Sequence, residues 1–169
     1  LREVIKGTLL VLNNKIQKHT DHFSFELPDS LPTIKGNSQQ LEQLFINLLL
    51  NALQSLPDRS HKVQINVALE QQEEQIVVRL MDEGSGISKE HLDRVTEPFF
   101  TTRSDKGGNG LGLSISFDII HSHQGSMEFD SVLNQGTTVT IRLPIKRDSS
   151  EGYDETKPVP VFASGHTCG

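Results

Sequence analysis

Three stretches of the chain carry residue types able to hold a polar, phosphate-bearing ligand. The first, Asp82-Glu83-Gly84-Ser85-Gly86-Ile87, follows directly on a strand-like run. Glycines two apart let the backbone approach a ligand closely, and Asp82 at the strand end supplies a carboxylate acceptor. Such a carboxylate can accept a hydrogen bond from the amino group of a purine, while the glycines leave room for the ring. The same residues equally describe a turn in which Asp82 caps a helix at Ser88. The second stretch, Gly107-Gly108-Asn109-Gly110-Leu111-Gly112-Leu113, opens a helix at Leu111. The N–H groups and dipole of a helix N-terminus favour phosphate. No Gly-Lys-Ser/Thr follows, as a Walker loop requires, and no strand precedes it, as the dinucleotide fingerprint requires. A plain surface loop is the alternative reading of any glycine run.

The third stretch is Gln39 to Leu56, QQLEQLFINLLLNALQSL. Placed on a helix at about 100° per residue, its apolar residues cover most of the circumference. The remaining stripe carries only amides: Gln40, Gln43, Asn47, Asn51 and Gln54. A solvated stripe would normally hold Lys and Glu, and Asn is a poor helix former because its side chain competes for backbone hydrogen bonds. Asn47 and Asn51 therefore point to a core helix whose amide edge faces a polar cavity. An ordinary solvent stripe that happens to be rich in amides is the bland alternative.

The elements that must position these stretches follow from periodicity. Leu1 to Lys18 reads as an amphipathic helix with Val4, Ile5, Leu9, Leu12 and Ile16 on one face. His22 to Leu27 alternates, with Phe23, Phe25 and Leu27 inward, and reads as a half-buried strand. Ser38 is the expected N-cap of the amide-striped helix, which stops before Pro57. Lys62 to Leu69 and Gln75 to Met81 alternate and are joined by a short polar turn, so they form an antiparallel hairpin. Ser126 to Asp130 and Thr137 to Leu143 form a second hairpin, and Leu111 to His123 a helix between the two. One-faced strands paired with helices imply an α/β two-layer sandwich, a mostly antiparallel mixed sheet covered on one face by about three helices. Residues 1–147 form the domain. From 148 to 169 the chain is polar, aperiodic and rich in Pro and Gly, the composition of a disordered tail or a linker.

The bulk properties narrow the class. With 169 residues the chain can bury one sizeable core. A net charge of −6 argues against nucleic acid and requires local donors for any anionic ligand. No run approaches the ~18 apolar residues of a membrane span, the N-terminal residues do not read as a signal peptide, and no membrane contact is expected. Cys168 is the single cysteine, which leaves no internal disulfide and fits a cytoplasmic setting.

Taken in order, Asn47-x-x-x-Asn51-Ala52, Asp82-x-Gly84-x-Gly86, Glu97-Pro98-Phe99-Phe100, Gly108-x-Gly110-Leu111-Gly112-Leu113 and Gly136-Thr137-Thr138 resemble the catalytic ATP-binding domain of bacterial sensor histidine kinases. That domain belongs to the superfamily shared with gyrase, Hsp90 and MutL. The runs FINLLLNALQSLP and EPFFTTR resemble the nitrogen-regulation type most. The resemblance covers Leu1 to Pro144.

It implies a Bergerat-type ATP-binding fold, with ATP and Mg2+ as cofactors. By this likeness Asn51 matches the magnesium ligand, Asp82 the adenine-reading carboxylate, and Gly84, Gly86 and Ile87 the base pocket. Phe99 and Phe100 match the anchor of a lid, Thr101 to Gly110, which would bring Thr101, Thr102, Arg103, Lys106 and Gly108 to the nucleotide. Gly110, Leu111, Gly112 and Leu113 would carry amides to the phosphates, and Thr138 would stand near the base. Asn47 replaces the Glu that activates water in the hydrolytic relatives. Asn cannot act as a general base, so transfer is favoured over hydrolysis. Asn47 and Asn51 are thus the expected catalytic pair.

Two positions depart from the family. Gln54 stands where many sensor kinases have a basic residue, and Glu83 where Asn is commoner. The phosphoacceptor is also absent: it is a His followed by an acidic residue on a helical hairpin. Here His19, His22, His61, His91, His121, His123 and His166 precede Thr, Phe, Lys, Leu, Ser, Gln and Thr. The expected function is therefore transfer of the γ-phosphate of Mg-ATP to a histidine on a separate phosphoacceptor domain, with a response-regulator receiver domain downstream. The rivals are a serine-protein kinase of the anti-sigma type and a non-catalytic nucleotide-binding module on the same fold.

Overall fold

The structure is a computed structural model and describes residues 1–72, 74–101 and 110–145. Of the expected site, Thr102, Arg103, Lys106 and Gly108 lie outside the described residues, as does the segment 148–169. The element order is α1 (Arg2–His19), β1 (His22–Glu26), α2 (Ser38–Ser55), β2 (Lys62–Glu70), β3 (Gln75–Asp82), α3 (Lys89–Leu92), α4 (Gly112–Ser122), β4 (Ser126–Val132) and β5 (Gly136–Pro144). The strands form one sheet in the order β1-β2-β3-β5-β4, with β1 parallel to β2 and every other pair antiparallel. This is the two-layer α/β sandwich with a mixed, mostly antiparallel sheet.

Alternation puts Ile76, Val78 and Leu80 of β3 on the face that meets the helices, with Val139, Ile141 and Leu143 of β5 beside them. Helix α2 lies against this face, and its Leu44, Leu48, Leu49 and Leu53 are all but withdrawn from solvent. Each such side chain contributes about 1.5–3 kcal/mol by burial, which is why α2 tolerates an amide edge of low helix propensity. Helices α1 and α4 flank it, with Ile5, Leu12 and Ile16 of α1 and Ile119 and Ile120 of α4 in the same core.

Two boundaries differ from the sequence expectation. The N-cap of α2 is Asn37, not Ser38: its side chain accepts from the N–H groups of Gln39 and Gln40. Both residue types cap well, so composition did not separate neighbours. Strand β1 lies at the sheet edge, and Phe25, expected inward, is 50% exposed. It stands on the helix side of the sheet, opposite Ile65, but beyond the cover that the helices provide.

His123 closes the far end of α4. It is buried, its Nδ1 lies 2.7 Å from the Ile119 carbonyl, and its Nε2 accepts the Asn37 N–H at 3.0 Å. The carbonyl needs a donor at Nδ1 and the amide needs an acceptor at Nε2, so one neutral tautomer satisfies both. The ring thereby ties the start of α2 to the end of α4, the two helices that carry the candidate site.

Candidate nucleotide site

Strand β3 ends at Asp82, whose side chain follows Leu80 onto the helix side of the sheet and meets the last turn of α2. Asp82 is 8% exposed. Its Oδ1 accepts from the Ser55 hydroxyl at 2.8 Å and from the Gly84 N–H at 2.9 Å. Gly84 has no room for a side chain, because a Cβ there would overlap Ser55 Oγ. Gly86 takes φ +62°, and a Cβ on it would strike the Val132 carbonyl at the end of β4. Only glycine meets both demands without cost, so the spacing of these two glycines is set by packing as well as by any ligand.

The loop is fastened on both sides. Ser85 donates to the Ser55 carbonyl at 3.0 Å, and its own carbonyl accepts the Asn134 N–H at 2.8 Å. Glu83, the departure from the family pattern, turns outward: its Oε2 accepts the Lys62 N–H at 2.8 Å, pinning the loop to the start of β2. The Ile87 N–H donates to Ser131 Oγ at 2.8 Å, and Ser131 Oγ lies 3.0 Å from Thr137 Oγ1.

Register corrects one expected residue. Thr137 stands directly opposite Asp82 and Ser131, and so shares their face. Thr138 pairs with Met81 and Asp130, on the other side of the sheet. Strand side chains alternate with a period of two, so a one-residue offset changes the face entirely. Thr137, not Thr138, is the hydroxyl on the side of Asp82.

One turn after another along α2 leads from this end to a second one. Ser55, Asn51 and Asn47 are spaced by four residues and lie on one stripe about 12 Å long by helix rise. Asn47 Nδ2 donates to the Gly112 carbonyl at 3.3 Å, across to the first residue of α4. Asn51, partly buried between the two, makes no side-chain hydrogen bond to another described residue. Helix α4 starts at Gly112 without a side-chain cap and with no acidic residue in its first turn. Ser114 and Ser116 donate back to the carbonyls of Leu111 and Gly112, which leaves the first-turn amides to an outside acceptor. Leu111 and Leu113 are partly buried, and Leu113 packs against the core.

The residues around the expected lid anchor are arranged differently from expectation. Phe99 is 75% exposed, so its side chain does not anchor by burial. Its backbone takes φ +67°, and its N–H donates to the Gly110 carbonyl at 3.0 Å, so the two ends of the 99–110 segment meet through main chain. Phe100 is held instead: the Arg94 guanidinium sits 4.6 Å over its ring and His91 packs against its edge. Thr101 follows it as the last described residue before position 110.

Thus Asp82, Gly84, Gly86 and Ile87 gather at one end of the α2 stripe, and Asn47, Gly110, Leu111, Gly112 and Leu113 at the other, with Asn51 between. Ser55, Ser131 and Thr137 are additions that sequence reasoning did not supply. Among the described residues no group of three or more His, Cys, Asp or Glu could hold a metal; the Asn51 side chain offers an amide oxygen, a hard donor of the kind that can join ligand phosphates around a cation. No helix among the described residues is long and apolar enough to cross a membrane.

Comparison with known proteins matches residues 36–147 to the family described as histidine kinase-, DNA gyrase B-, and HSP90-like ATPase. Sporulation kinase E of Bacillus subtilis is 34% identical over 149 residues, 88% of this chain and 20% of that protein. Sporulation kinase A of the same organism is 41% identical over 113 residues, 67% of this chain and 18% of that protein. The catalytic domain of histidine kinase ThkA superposes with a TM-score of 0.73 at 27% identity, covering 85% of this chain and 92% of that one. The chain spans about a fifth of the length of the curated relatives it matches.

Proposed function

The chain belongs to the family of histidine kinase-, DNA gyrase B-, and HSP90-like ATPases and is homologous to the catalytic domains of sensor histidine kinases, and on that premise we propose that it binds Mg-ATP and delivers the γ-phosphate to a histidine on a separate phosphoacceptor domain. The observation that carries the reading is the α2 stripe, with a carboxylate and two glycines at one end and an uncapped helix start at the other. Adenine would sit against Asp82, its amino group donating to the carboxylate. The phosphates would reach the first-turn amides of α4, with magnesium on Asn51. Phosphoryl transfer asks mainly for such positioning and charge neutralisation, not for a protein base. Asn47 suits this: it offers an amide where a water-activating carboxylate would be needed for hydrolysis. A response-regulator receiver domain would then take the phosphate onward.

Arg103 and Lys106 would supply positive charge near the phosphates in place of the basic residue that Gln54 replaces. Titration calorimetry tests the reading. ATP should bind with micromolar to millimolar affinity and more tightly with magnesium, whereas GTP, which presents a carbonyl to Asp82, should bind far worse. Equal affinities for the two nucleotides would sink the adenine assignment.

A further inference from the structure

We propose that Ser55 is the positioning residue that sets adenine selectivity in this chain, by fixing the rotation of the Asp82 carboxylate. The inference rests on the adenine-binding reading above and adds to it a residue to which the glycine and asparagine motifs give no role. Two donors converge on the same oxygen, Asp82 Oδ1: the Ser55 hydroxyl at 2.8 Å and the Gly84 N–H at 2.9 Å. One donor comes from the carboxylate's own loop and the other from a different element; converging on one oxygen, they hold it in place, and with it the plane of the carboxylate and the directions in which its lone pairs point.

Ser55 is itself well placed for this. It is the last residue of α2, and its carbonyl accepts the Ser85 N–H at 3.0 Å, so helix and loop are joined at this residue twice. Its Oγ also lies 2.7 Å from the Ala52 carbonyl. A hydroxyl has one proton to give, and an ionised carboxylate is the stronger acceptor, so the Ala52 contact is the fallback and the Asp82 contact the one that orders both groups. The close fit is reciprocal, since the missing Cβ of Gly84 is the space that Ser55 Oγ occupies. Without the hydroxyl, Asp82 loses the donor that ties it to α2, and the acceptor offered to the 6-amino group of adenine is less well ordered.

The test compares ATP with the 5′-triphosphate of purine riboside, which lacks the 6-amino group, by calorimetry on the wild-type chain and on Ser55→Ala. The wild type should prefer ATP by about tenfold or more, the value of a hydrogen bond to a charged group. Ser55→Ala should lose most of that preference: ATP binding falls by about tenfold while the analogue changes little. Equal losses for both nucleotides would overturn the inference, because a merely structural serine would weaken the pocket for every purine. Unchanged ATP affinity would overturn it too. A wild type that does not prefer ATP defeats the adenine reading itself, and the inference with it. Should Ser55→Ala not fold, Ser55→Cys provides the same comparison, since a thiol fills the space but donates weakly.

Discussion

Replacing Asp82 with Asn is expected to weaken ATP binding by about 1.5–3 kcal/mol, or roughly tenfold to 150-fold, while leaving the chain folded. Two of the contacts that hold the side chain are accepted by one oxygen, from Ser55 Oγ and the Gly84 N–H. An amide oxygen can accept both, so Asn can keep the loop in place. With that oxygen so engaged, Asn turns an NH2 donor toward the base where the carboxylate offers a charged acceptor, and the hydrogen bond from the adenine amino group is lost. The loss should fall on adenine nucleotides and spare the small residual binding of GTP. Calorimetry for both nucleotides, with urea unfolding as the control, separates the two effects. An equal loss of ATP and GTP affinity would mean that Asp82 supports the loop without reading the base.

Asn51→Ala is expected to erase the dependence of ATP binding on magnesium. Coupling between two linked ligands typically amounts to about 1–3 kcal/mol, and here it should fall toward zero. The fold gives a strong reason to expect little else. Asn51 is only partly buried on the stripe of α2, makes no side-chain hydrogen bond to another described residue, and lies outside the apolar face. Alanine is a better helix former, so stability should hold or rise slightly. Titrations with ATP in magnesium and in chelator, on both proteins, measure the coupling directly. A variant that unfolds would instead make the amide stripe a structural feature of α2.

The contrast between Asn51 and its neighbours also shows what could be read from residues alone. The amide stripe of α2 was legible because seven buried apolar positions leave it so narrow, and the alternation of β3 and β5 was legible for the same reason. The parity of the two threonines after Gly136 was not: the pair is symmetric in composition, and only the register with Asp82 chooses Thr137. Ser55 was hidden because a serine one residue before the Leu56-Pro57 break reads as a helix end, although it continues the spacing of Asn47 and Asn51. Phe99 and Phe100 looked equivalent as anchors. The structure separates them through backbone conformation at Phe99 and the Arg94 contact at Phe100, and neither is encoded in apolar character. Glu83, a departure with no obvious effect in the sequence, became a fastening to β2 once Lys62 was found beside it.

The central claim, transfer of phosphate to a histidine elsewhere and not hydrolysis, is tested most directly with γ-labelled Mg-ATP and a phosphoacceptor hairpin supplied in trans. The chain alone should remain unlabelled, since none of its seven histidines is followed by an acidic residue, and it should release phosphate only slowly because Asn47 provides no base. With the hairpin present, acid-labile label should appear on the hairpin, at a modest rate because no linkage raises the effective concentration. Acid-labile label on the chain by itself, or rapid release of phosphate with none transferred, would contradict the account.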